Sequence, residues 1–374
     1  MDPIAELEVS LERYPVDGYP VQHATASFHL GALLADAGRV EEARARLARA
    51  VELFGSAGLA VERAKALNAL GAVFRLAGDE QRAGEAFAEA AAAFRAAGSV
   101  ADEGAALHNL GLVTRDPDAF RRARARFAKS GERRAESAAA RELGALLLAE
   151  GKPDDAIEML AEAVALATRA GDLAAVGAAA NALGLVHLAA RRPGAAVAAF
   201  RDAVGAHPRS VRPAEHAMAK ANLALAHELG GDERRARLAA RQALAVPGVP
   251  APVQAQANAM LARVPDGRGD VVAVSLDEPE DARLAIVREE LVRWAEAGPG
   301  ERRSECDAWV ESAPQELAEP LLGALLELPP VEFERVTADL VAAADERFRT
   351  AVSSASARFP PPQLLRLERA FRWS

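Results

Sequence analysis

Asparagine is scarce in this chain, and where it occurs it keeps a pattern. The 374 residues contain five: Asn68, Asn109, Asn181, Asn222 and Asn258. Asn68 and Asn181 stand three residues before a glycine that follows leucine, and Asn109 stands two before one. Asn222 stands two before Ala224 in the same setting, and Asn258 takes the equivalent place further on. A carboxamide offers two donors and an acceptor, so a row of them can hold extended peptide backbone whatever its sequence. Inside a helix the same amide competes with the backbone, so propensity disfavours it there. The competing reading is that the amides bond one another and stiffen the scaffold. Lys65, Arg75, Arg115 and Arg141 recur on the same segments, and His108 adjoins Asn109. Arginine can take a carboxylate through two parallel hydrogen bonds, so acidic groups on a partner are expected.

Other constellations carry less. His187 and His227 are equivalent residues of neighbouring segments, and such positions on packed helices lie about 8–10 Å apart, too far to share a metal. Residues 121–134 are rich in arginine but lack aromatic stacking platforms, which speaks against nucleic acid. Residues 144–152 have the wrong spacing for a phosphate loop, and Pro153 follows the lysine. No metal-ligand, nucleophile or dinucleotide motif is present, so no cofactor, no metal and no enzymatic activity are expected. A single cysteine, Cys306, excludes an internal disulfide framework.

The elements that position these residues form a repeat. Leu30-Gly31, Leu70-Gly71, Leu110-Gly111, Leu143-Gly144, Leu183-Gly184 and Leu223-Ala224 follow one another at intervals of 40, 40, 33, 40 and 40. Seven residues after the small residue stands a turn position: Gly38, Gly78, Asp118, Gly151, Arg191, Gly231. Twelve after it stands Ala43, Ala83, Ala123, Ala156, Ala196 or Ala236. Sixteen after it stand Leu47, Phe87, Phe127, Leu160, Phe200 and Ala240. Apolar residues at i, i+3, i+4, i+7 make each unit two antiparallel helices. Glycine and alanine let the two backbones approach, and leucine or phenylalanine fills the space between pairs. One pair cannot bury its own apolar face, so the pairs must stack. A composition of 51% apolar and 5% aromatic residues agrees with helices packed through small side chains.

These residues resemble the tetratricopeptide repeat, in the longer variety of about 40 residues found in kinesin light chains and bacterial regulators. The motif's early tryptophan is missing, and its closing proline occurs only as Pro208. The resemblance implies an all-α, right-handed α-solenoid whose first helices line a concave groove, where similar asparagine rows hold peptides. The expected layout is an entry helix and loop at 1–23, six repeats at 24–246, a capping helix at 247–264 and a linker at 265–280. An acidic helical domain follows at 281–374. Its helices are expected at 281–297, 301–312, 315–328, 331–354 and 362–373. Ala240 replaces an aromatic in the sixth unit, so loose packing is expected there.

Charge divides the chain at the same place. Residues 265–374 carry 22 acidic residues against 13 arginines, which accounts for the whole formal charge of −9. All three tryptophans lie there: Trp294 and Trp309 as core anchors, Trp373 at the end of an Arg366, Arg369, Arg372 stripe as a docking residue. Residues 173–190 carry no formal charge, but their register with the repeat makes them a buried helix rather than a membrane span. The start of the chain has no apolar leader segment, so a cytoplasmic location is the default. The reading is a non-enzymatic scaffold that binds a protein or peptide in its groove. The alternative is a regulatory sensor that binds a small peptide or effector and signals through the C-terminal domain. A homo-oligomer is compatible with either.

Overall fold

The computed structural model describes residues 3–263, 267 and 269–372, and all regular elements among them are helical. The expected docking role of Trp373 lies outside these residues. The chain divides into two compact units, one ending at Val186 and one beginning at His187.

The first unit holds α1 (Pro3–Arg13), α2 (Pro20–Asp36), α3 (Val40–Ser56), α4 (Ala60–Leu76) and α5 (Glu80–Ala97). It continues through α6 (Val100–Thr114), α7 (Pro117–Ser130), α8 (Arg133–Ala149), α9 (Pro153–Arg169) and most of α10 (Leu173–Ala189). Helices 2 to 9 pack in sequence, each against the next, as an α-solenoid of antiparallel pairs requires. The turns use the expected glycines: Gly38, Gly78 and Gly151 have φ of 74°, 77° and 75°. Asp79 caps α5 by accepting the Arg82 N–H at 3.1 Å. The close approach of each pair is steric. A Cβ at Gly31, Gly71 or Gly144 would stand 2.6, 2.8 or 2.6 Å from Leu47, Phe87 or Leu160.

The short third unit breaks the expected register. Gly111 faces Phe120, to which a Cβ would approach within 2.8 Å, whereas Phe127 lies against Gly104. The seven residues missing from this unit are lost around the turn, so the aromatic follows its glycine by nine rather than sixteen. The turn is at Arg115-Asp116, not at Asp118: Pro117 disfavours helix in the residue before it, and Asp116 caps α7 through the Asp118 N–H.

The second unit opens with the last repeat helices, α11 (Pro193–Ala206), α12 (Pro213–Leu229) and α13 (Glu233–Leu244), capped by α14 (Ala251–Arg263). Ala240 is fully buried among Leu223, Ala236, Ala257 and Met260, so the sixth unit is tightly packed after all. Then follow α15 (Asp270–Asp277), α16 (Glu280–Glu296), α17 (Pro299–Ser312), a 3₁₀ turn (Gln315–Leu317) and α18 (Ala318–Glu327). The chain ends with α19 (Pro330–Ala343), α20 (Glu346–Ser356) and α21 (Pro361–Ala370). The single helix expected over 331–354 is two, because Asp345 starts α20 by accepting the Phe348 N–H at 2.7 Å. Here alternate helices pack together, α16 on α18, α17 on α19 and α18 on α20. Trp294 and Trp309 meet edge to face at 5.8 Å in their core. Cys306 lies in the same core, its thiol pushed up to about 12 mainly by burial, which leaves it unreactive.

The stretch expected as a linker contains α15, and that helix is pinned. Buried Asp270 receives Arg237 through both oxygens at 2.8 Å and Arg241 at 3.1 Å. Leu238 of α13 joins the core of the following helices. Behind this contact runs a chain of buried polar groups. Lys220 donates to Gln242 at 2.8 Å and to Glu289 at 2.6 Å, and Gln242 donates to Glu290 at 3.0 Å. Arg293 takes Glu290 at 3.0 Å and Glu305 at 2.6 Å. Arg209 pairs with Glu296, and Arg235 with Glu278. Asp270, Glu278, Glu289 and Glu296 therefore neutralise arginines and Lys220 of the last repeats.

Candidate functional site

The first helices of the first unit, α2, α4, α6 and α8, each turn one face away from their partners, and α10 carries residues at the same repeat positions. Residues three to four apart share such a face. On α4 it carries Lys65, Asn68, Arg75 and Leu76; on α6, His108, Asn109 and Leu112; on α8, Arg141 and Glu142; on α10, Asn181 and Leu185. Lys65 and Arg75 are exposed, and Asn68, His108, Asn109, Arg141 and Asn181 are half-buried.

The site residues expected from sequence are arranged unevenly. Asn109 Nδ2 donates to Asn68 Oδ1 at 3.1 Å. Among the described residues no other hydrogen bond occupies the N–H groups of Asn68 or the oxygen of Asn109. Arg141 is paired with Glu142 at 2.7 Å, so it is not a free cation. Lys65, Arg75 and Arg115 have no ion pair among the described residues. Arg115 does not sit on the helical face at all. It ends α6 in the left-handed region, at φ 52°, and projects from the turn. Asn222 belongs to the second unit, is buried, and accepts from Gln256 at 3.3 Å, so it is a packing residue. Asn258 is exposed on α14.

His108 lies edge-on to Phe120, ring centroids 5.4 Å apart. Its Nδ1 is buried without a partner among the described residues. Burial lowers its pKa, with Glu142 opposing and Arg141 adding, so the ring is neutral at neutral pH. It acts as a packing wedge beside the asparagines.

Exposed leucines were missed from sequence. Leu76, Leu112 and Leu185 are 56%, 38% and 43% exposed. The signal was present for two of them, since Leu112 and Leu185 directly follow the glycine that faces inward and must therefore point outward. The basic run at 121–134 is largely spent on ion pairs. Arg124 takes Glu162 at 2.6 Å, Arg121 takes Asp118 at 2.6 Å, and buried Glu103 receives Arg126 at 2.9 Å and Arg95 at 2.8 Å. Among the described residues no three His, Cys, Asp or Glu side chains could hold one metal ion, and no helix is long and apolar enough to cross a membrane.

Residues 134–208 match the sequence profile of the tetratricopeptide repeat. They contain the fourth and fifth Leu-Gly pairs in the register that packs α8 on α9. These residues of the chain are tetratricopeptide repeats. The repeat protein is similar to several solved structures. BtubC (BKLC) of P. vanneervenii is 17% identical over 59% of this chain and 92% of its own, with a TM-score of 0.46. PilF of Pseudomonas aeruginosa is 18% identical over 64% and 97%, with a TM-score of 0.46. The apo quorum sensor NprR of B. thuringiensis is 11% identical over 91% and 90%, with a TM-score of 0.47. No curated protein matches the chain.

Proposed function

We propose that this repeat protein is a non-enzymatic, cytoplasmic scaffold whose first unit binds an extended peptide segment of a protein partner. The observation that carries the reading is the Asn68–Asn109 pair, which fixes two amides yet leaves donors and an acceptor for a ligand backbone. On the same helical faces stand Lys65 and Arg75, which have no ion pair among the described residues, and the exposed side chains Leu76, Leu112 and Leu185. The fitting segment therefore alternates leucine-like and acidic side chains. Leucines bury apolar area at about 25 cal/mol per Å², and carboxylates meet Lys65 and Arg75, which have no competing ion pair among the described residues.

The test is a displayed random-peptide library selected on the full chain. Selected peptides should be enriched in acidic and aliphatic residues. Asn68→Ala with Asn109→Ala should weaken them by about 1–3 kcal/mol, because ligand backbone groups lose their partners. Peptides that bind the double variant as tightly as the parent would move the interaction off this face.

The sensor reading rests on a different observation, the seam of an ion pair and a hydrogen bond that fastens α16 to α12 and α13. It requires that a selected peptide change amide exchange in α16, whereas a plain scaffold leaves that helix unchanged.

A further inference from the structure

A cleft of about 600 Å³ lies in the second unit between the start of α16, the 3₁₀ turn with α18, and the end of α20. Its floor is apolar: Leu284, Pro320, Ala351, Ala355 and Phe359 line it. Gly323 keeps Leu284 down in that floor, since a Cβ there would stand 3.2 Å from the leucine Cδ1. The rim is charged, and its charges are not balanced. Arg358 is neutralised by Glu319 at 2.6 Å. Arg283 turns its Nε to the Glu278 carbonyl at 3.2 Å and keeps its charge, so four carboxylates of the lining stand against two arginines. Glu280, Asp281 and Glu316 have no ion pair among the described residues. Elsewhere in this unit the acids nearest an apolar contact, such as Asp270, Glu289 and Glu290, each meet a cation or an amide donor. The cleft is thus an apolar trough with spare negative charge along its edge.

We infer that this cleft is a second docking site, which takes a basic segment of a partner protein carrying an aliphatic or aromatic anchor between lysines or arginines. The anchor covers Leu284 and Phe359 and expels their water. The flanking cations meet Glu280, Asp281 and Glu316 at the solvent-exposed rim, where complementary charge sets selectivity and association rate more than affinity. An acidic segment is rejected by the same three carboxylates. The site is independent of the peptide-binding face of the first unit and selects the opposite charge.

The experiment uses the full chain and a fluorescein-labelled peptide Arg-Leu-Arg-Phe-Arg-Leu-Arg, read by anisotropy. Two control peptides replace arginine by glutamate or by glutamine. The basic peptide should bind, and its affinity should fall about tenfold when salt is raised to about 0.5 M. The glutamate peptide should not bind, and the glutamine peptide should bind more weakly. Glu280→Lys with Glu316→Lys should weaken the basic peptide about tenfold or more. Ser354→Trp leaves the charges intact and fills the trough from its exposed edge, so it should also abolish binding. It keeps the test decisive if the charge-reversed variant fails to fold. Equal affinity of the arginine and glutamine peptides, unchanged binding to Ser354→Trp, or no binding of the basic peptide would each overturn the inference. None of these results bears on the Asn68–Asn109 face.

Discussion

Asn109 donates its side-chain amide to Asn68 across 41 residues of sequence, at 3.1 Å, and so ties the second repeat to the third. The two amides brace each other with one hydrogen bond, and among the described residues their remaining polar groups have no other. Bracing and the proposed binding therefore do not exclude each other. A partly exposed neutral hydrogen bond contributes about 0.5–1.5 kcal/mol net, and alanine regains helix propensity that offsets part of it. Asn68→Ala with Asn109→Ala should consequently change unfolding free energy by about 1 kcal/mol or less, measured by urea denaturation. A loss several times larger would make the pair chiefly structural.

Gly71 faces the Phe87 ring with no room for a Cβ, which would stand 2.8 Å from the ring. Gly71→Ala gains helix propensity and loses packing. Overpacking wins where backbone and a fully buried ring must shift, so the variant should be destabilised by about 1–3 kcal/mol. The combination with Phe87→Leu should recover part of the loss. A melting temperature unchanged by Gly71→Ala would contradict the close approach of α4 and α5.

Asp270 anchors α15 through Arg237 and Arg241 and is 4% exposed. Asp270→Asn leaves two arginines facing a neutral amide in a buried setting, which costs about 3–5 kcal/mol of local stability. Limited proteolysis should cut residues 270–280 slowly in the parent and rapidly in the variant. Equal cutting would mean that the stretch is a free linker despite its ion pairs.

His227 is buried, and burial foremost, opposed by Asp232 and aided by Arg201 and Arg235, lowers its pKa from 6.5 to about 4. Between those values the unfolded chain binds the proton and the folded chain does not. The stability from the neutral ring is complete above the unfolded pKa and is lost as pH falls toward 4. Burial also lowers the pKa values of His108, His187 and His207, so the decline is shared. Unfolding free energy should fall between pH 6.5 and 4, and His227→Gln should remove about 1–3 kcal/mol of that fall. Identical pH profiles for parent and variant would show that His227 titrates normally.

The residues themselves determined the helix pairs, because alternation of small and large apolar side chains at helical spacing permits few other packings. Gly71 and Ala83 were legible as the small residues of one pair for that reason, whereas packing alone puts the Phe87 ring over Gly71. What lay beyond sequence depended on lost residues and on distant partners. The seven-residue deletion in the third unit could fall anywhere between Gly111 and its aromatic, and only packing places Phe120 there and turns Arg115 out of the helix. The acidic excess after residue 265 reads as a solvated surface in one dimension. In three dimensions Asp270, Glu278, Glu289 and Glu290 meet Arg237, Arg235, Lys220 and Gln242, because desolvating a charge is tolerable only beside its partner. The same logic separates the asparagines. Asn68 and Asn109 share an open face, while Asn222, of identical local pattern, is buried against α14. Local spacing sets which face of a helix a residue occupies, and the packing of the neighbouring helices sets whether that face meets water, a ligand or the core.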